Sequence, residues 1–259
     1  MRPAFRIIGF VLMAALFIGV FSVRIYGGQL FPGISPIIEG TDDPAEVVTT
    51  LQVLALVSII ALAPSLLVLL TGFTRIIIVL SFMRQAMATQ QMPPNQVLVG
   101  IAIFLTIFIM TPVFAEINEN AIRPFGAGEI STEEALTAAM EPIRVFMFRQ
   151  LGNNTGIDSV ELFANLADTQ IYEFEDTPNY ILIPAFIINE LMLAFMMGFL
   201  IYLPFIVIDM VVASVLMSMG MMMLPPAMIS MPFKIMVFIL AGGWGMAIES
   251  LMVTFNPDY

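Results

Sequence analysis

Residues Ile181–Thr254 read ILIPAFIINELMLAFMMGFLIYLPFIVIDMVVASVLMSMGMMMLPPAMISMPFKIMVFILAGGWGMAIESLMVT. They divide into three apolar runs, roughly Ile181–Leu203, Phe205–Leu224 and Pro232–Val253. Each is near the ~20 residues that a helix needs to cross a hydrocarbon layer. Ahead of Leu224-Pro225-Pro226 stand Met217, Met219, Met221, Met222 and Met223. Adjacent prolines remove two amide donors and stop a helix, so the pattern predicts helix, Met-rich tip, helix. The charges within the stretch are Glu190, Asp209, Lys234 and Glu249. An ionisable group at membrane depth is costly unless it is paired or faces a wet cavity, which makes these four candidate functional residues.

The rest of the chain agrees with a membrane setting. At 59% hydrophobic and 11% charged residues, with a mean hydropathy of +0.97, the chain cannot cover itself with a water-soluble surface. Nine basic residues and a net charge of −11 exclude nucleic acid as a partner, since that needs clustered Lys and Arg. Cys and His are both absent, so thiolate chemistry, disulfides and the commonest general base and metal ligand are excluded. No phosphate-binding, zinc or calcium pattern occurs, and neither cofactor nor metal is expected. Ser230 and Lys234 have the spacing of a Ser-Lys dyad, yet Pro232 disturbs their shared face and no oxyanion-hole motif accompanies them, so an enzyme is not expected.

The expected fold class is all-α: polytopic helical hairpins with kinked helices and a small helical insert. Residues 1–28 read as a signal segment, with Arg2 and Arg6 ahead of the apolar Ile7–Phe21, and 29–46 as a turn-rich linker. A first hairpin is predicted over 47–115, broken by Pro64 and tipped by Arg84 to Pro94. Lining Pro93-Pro94 up with Pro225-Pro226 places Met87 over Met219, so both hairpins share one plan, by duplication or by common architecture. An acidic insert follows over 116–180. Between Glu116 and Thr177 it carries twelve acidic residues against Arg123, Arg144 and Arg149. The basic hairpin tip is placed inside and the acidic insert outside. Ser131-Thr132-Glu133-Glu134 is a capping-box pattern that predicts a helix start, with a second short helix over Ser159–Leu166. Residues 181–259 form the C-terminal helices.

The quoted blocks also carry a resemblance. IPAFIINELMLAF (Ile183–Phe195) and PFIVIDMVVASVLMSMGMMMLPPAMISMPFKIMVFIL (Pro204–Leu240) resemble the signature region of the FliP family, flagellar biosynthetic proteins of the bacterial type III export gate. GFTRIIIV (Gly72–Val79) and PPNQVLVG (Pro93–Gly100) are similar to its first hairpin. The resemblance implies a structural, pore-forming subunit of the bacterial inner membrane and flagellar basal body, passing unfolded flagellar export substrates. It implies a homo-oligomer in contact with FliQ, FliR, FlhB, FlhA and membrane lipid, whose helices sit largely above the ordinary membrane plane. Met219, Met221, Met222 and Met223 would be the gasket of the passage, helped by the flexibility of thioether chains.

Charge balance points the same way. Arg75, Arg84 and Lys234 match Glu190, Asp209 and Glu249 in number, as structural pairs would. Among these, Glu190 is expected to pair with Lys234, within or between subunits. Phe146 and Phe163 are expected either to contact neighbouring subunits or to fill the insert's own core. The competing functional class is an ion-coupled secondary transporter using Glu190, Asp209 and Glu249 as ligands.

Overall fold

The computed structural model describes residues 54, 57–58, 61–62, 65, 68–89, 92–152, 154–221 and 223–255. The expected signal segment, the linker after it and the break at Pro64 lie outside the described residues. The chain divides into two compact units, residues 1–67 and 68–259, and the second holds every element below. All regular elements among the described residues are helical.

Helix α1, Phe73–Ala86, buries Ile76, Val79, Leu80 and Met83, a stripe at helical spacing. That stripe meets the long helix α6, Asn179–Ser218, in the most extensive helix pairing of the unit. The two run parallel, because Arg75 meets Glu190 while Phe82, further along α1, stacks edge-on against Phe195. Gly198 makes the close approach possible: a Cβ there would lie 2.5 Å from the Phe82 ring.

Helix α2, Asn95–Ile117, passes without a break through a π-helical turn, Asn118–Ile122, into the short α3, Arg123–Gly126. Pro124 cannot donate to the residue four before it, and a wide turn there absorbs the missing bond. The acidic insert therefore opens as a continuation of α2. Helix α4, Thr132–Leu151, starts on the expected capping box, with both reciprocal hydrogen bonds between Ser131 and Glu134 present. Helix α5, Asn154–Leu166, begins earlier than Ser159. Gly156 lies inside α5, where a Cβ would fall 2.3 Å from the Leu151 carbonyl oxygen.

Two apolar runs expected as separate spans merge in α6, whose 40 residues include Pro184 and Pro204 without interruption. A single proline deletes one ladder bond, which a long apolar helix tolerates. The third run is instead divided, into α7, Pro226–Leu240, and α8, Gly243–Val253, bent by 65°. Gly242 makes the elbow in the left-handed region at φ +63°. Below it Gly243 lies against Phe238, which stacks edge-on with Trp244. Among the described residues, Asn95–Gly126 and Asn179–Ser218 are long and apolar enough to cross a membrane, and the bent pair α7–α8 makes a third if counted as one span.

The α1–α2 and α6–α7 tips share backbone detail. Each first helix ends on Met87 or Met219, and the next residue, Ala88 or Gly220, is left-handed at φ +58° and +75°. Ala88 N–H donates to Gln85 O, and Gly220 N–H to Met217 O. A Pro-Pro pair then leads into each returning helix. The tips differ in side chains. Arg84 braces the first by donating to Pro93 O and Asn95 Oδ1, and Thr89 Oγ1 reaches Met92 O. At the second, backbone bonds close the turn and thioethers occupy the surface.

Candidate functional site

Three groupings gather the residues singled out from sequence. The first surrounds Arg75, 1% exposed, and Glu190, fully buried. Arg75 Nε donates to Glu190 Oε2 at 3.0 Å, and Nη2 donates to Glu190 Oε1 and, at 3.1 Å, to Gln150 Oε1. Its Nη1 donates to Thr254 O and Oγ1 at 3.2 and 3.1 Å. All five guanidinium N–H groups are thereby satisfied, the condition under which a buried arginine is tolerable. The Phe255 ring lies 4.0 Å from the guanidinium carbon and fills the space over Gly72. Gln150 Nε2 donates to Phe255 O, while Asn189 Nδ2 donates to Gln150 O and its buried Oδ1 has no partner among the described residues. One charge pair thus ties α1, α4, α6 and the segment after α8.

Glu190 therefore pairs with Arg75 and not with Lys234. Sequence reading favoured Lys234 because it is the lone basic residue of the C-terminal apolar runs. The parallel seating of α1 on α6 brings Arg75 there instead, a packing fact with no local signature.

The second grouping lies further along α6. Lys234 Nζ on α7 donates to Asp209 Oδ2 at 2.6 Å, and Ser230 Oγ donates to Asp209 Oδ1. Lys234 and Ser230 are buried and Asp209 is a third exposed. Both candidate dyad residues thus point at one carboxylate, and the lysine is engaged as its counter-ion. With Phe205 packed on Phe238 one turn away, this pair fastens α7 onto α6. Arg84 braces its own tip, and Glu249 is exposed without an ion pair among the described residues.

The third grouping is the Met tip. Met219, Gly220 and Met221 close α6 in a Schellman arrangement: Met221 N–H donates to Leu216 O and Gly220 N–H to Met217 O. Met219 is 66% exposed and Met223 98%, with Met221 and Met217 also exposed. Met222 lies outside the described residues.

The aromatic candidates part company. Phe146 is 4% exposed and stacks edge-on against Phe186 of α6. It fills this chain's own core and is not presented to a neighbour, because the insert packs on α6 and does not stand alone. Phe163 is half-buried on the same core. Gln150 and Thr254 are neighbours of this pair that sequence reading missed; Arg75 was singled out as a structural charge inside an apolar run, but not as the partner of Glu190.

The model of the FliP family matches residues 56–251. The chain is 51% identical to the flagellar biosynthetic protein FliP of Bacillus subtilis over 83% of this chain and 96% of that protein. It is 49% identical to the Treponema pallidum protein of the same name, over 81% and 77%. Against the Aquifex aeolicus one it is 40% identical, over 88% and 95%.

Proposed function

The chain belongs to the FliP family, and from that premise we propose that it is a structural subunit of the flagellar protein export gate, lining the passage through which unfolded flagellar subunits leave the cytoplasm. One observation carries the reading: the Met tip repeats the backbone of the Arg84-braced tip but replaces side-chain braces with exposed thioethers. Unbranched, polarizable chains on a fixed turn can close a hole against water and re-pack around a passing polypeptide. Several copies around an axis, together with FliQ- and FliR-type subunits and FlhA and FlhB components, supply the ring that one copy cannot. The inner membrane houses the assembly, with the α4–α5 insert on the periplasmic side.

An ion-coupled transporter is the less favoured reading. Glu190 and Asp209 already neutralise Arg75 and Lys234, which leaves Glu249 as the one candidate carboxylate without a counter-ion among the described residues. The test is to replace Met221, Met222 and Met223 by Ala. Assembly on native gels should persist, since no charge or hydrogen bond is removed, while the membrane becomes leaky to small solutes. Full assembly with ion gradients intact would overturn the gate reading.

A further inference from the structure

We infer that the Met tip is an oxidation site, and that converting its thioethers to sulfoxides unseals the passage; this rests on the gate reading above. The chain contains 22 Met and no Cys, so its response to mild two-electron oxidants falls on thioethers. Among the described residues the thioethers range from closed to open, and Met92, Met210 and Met228 are exposed away from the tip. Met83, Met110 and Met147 are 0–1% exposed, whereas Met217, Met219, Met221 and Met223 stand out at the end of α6. The Schellman turn at Gly220 fixes that presentation, because its backbone bonds hold the turn without any contribution from the sulfurs.

The chemistry needs a hydroperoxide as oxidant. The thioether sulfur attacks the distal peroxide oxygen, the O–O bond breaks, an S–O bond forms, and the peroxide leaves as water or an alcohol. Sulfur is oxidised by two electrons and the peroxide reduced by two. A flexible apolar chain becomes a polar hydrogen-bond acceptor. At a constriction that excludes ions by being dry, a ring of such acceptors holds water and the barrier falls. Methionine sulfoxide reductases reverse the change.

The experiment exposes the full-length protein, assembled in membrane vesicles, to graded hydrogen peroxide. Sulfoxide at each Met is followed by peptide mass spectrometry and dye leakage is measured in parallel. Tip Met residues should oxidise about tenfold or more faster than Met83, Met110 and Met147. Leakage should rise with tip oxidation and fall again after treatment with both reductase types. A variant with Leu at 217, 219, 221, 222 and 223 keeps apolar bulk and should stay sealed at every peroxide dose. Equal oxidation rates at tip and core would overturn the inference on wild-type protein alone, whatever the variant's folding. So would tip oxidation without leakage; if the Ala tip variant leaks in the same assay, that result sinks the redox inference and spares the gate reading. Peroxide-dependent leakage of the Leu variant would also refute it.

Discussion

Arg75 carries more of the fold than its single charge suggests, because its five donors end on three separate segments. Removing one member of a buried pair leaves an uncompensated charge, at a cost of about 3–5 kcal/mol. Glu190→Ala should therefore lower the yield of folded subunit, and Arg75→Ala likewise. An Arg75→Met, Glu190→Leu double variant should be less damaged than either single one, since both desolvated charges are gone. Thermal melting of the detergent-solubilised protein measures all three, and a double variant melting below both singles would refute the account. Gly198 makes a second case: Gly198→Ala drives a methyl into the Phe82 ring, so the parallel α1–α6 packing must shift. An added Phe82→Leu should restore part of the lost melting temperature. Neither partner was legible locally. Glu190 and Gly198 could be marked from the sequence as unusual within apolar runs, but what faces them depends on how α1 seats on α6.

Elements with a chemical signature at their ends were the readable ones. Ser131 and Glu134 marked the start of α4, and Pro225-Pro226 marked the return from the Met tip, because capping and proline chemistry act within a few residues. Pro204 misled for the same local reason: it looks like a break, yet the surrounding apolar helix tolerates one lost bond. The elbow at Gly242 could not be separated from an ordinary Gly-Gly pair. At the cap, the Ser131 backbone N–H, and after it the Ser131 hydroxyl, hold the Glu134 carboxyl below its usual range. A depressed carboxylate stabilises the fold above the unfolded group's pKa and loses that contribution as pH falls through the lowered folded value. The first turn of α4 should therefore lose amide-exchange protection on acidification below the ordinary glutamate range. Glu134→Gln should make that turn insensitive to pH over the same window, and an unchanged profile in the variant would refute the linkage. The two hairpin tips offer a mechanical comparison. Arg84→Met and Thr89→Val strip the braces from the first. Exchange at its turn amides should rise toward that of the Met tip while Met219–Met221 stays as it was.

At the scale of the whole molecule, length decides how the apolar surface is covered. Helix α6 has 40 residues, about 60 Å at the usual helical rise, against a hydrocarbon layer of about 30 Å. Its exposed apolar side chains run from Met192 through Phe199 and Val207 to Met217, with no polar half to place in water. That exposed apolar stretch, 26 residues or about 39 Å, still exceeds the layer at the ~20° tilt that helices average. One bilayer therefore covers only part of α6, and protein neighbours must cover the remainder, which fits a subunit of an assembly and not a solitary carrier. Absence of Cys makes this directly measurable, because single cysteines report without background. Cysteines placed at Met192, Phe199, Val207, Val211 and Met217 should react with a water-soluble maleimide in two blocks when the subunit is alone in vesicles. One block of about 20 residues stays protected by lipid, and the positions beyond it react. On assembly with its neighbours the reactive block should become protected as well, while the lipid-covered block is unchanged. Uniform protection along α6 in the isolated subunit would show that lipid suffices, and the argument from length would fail.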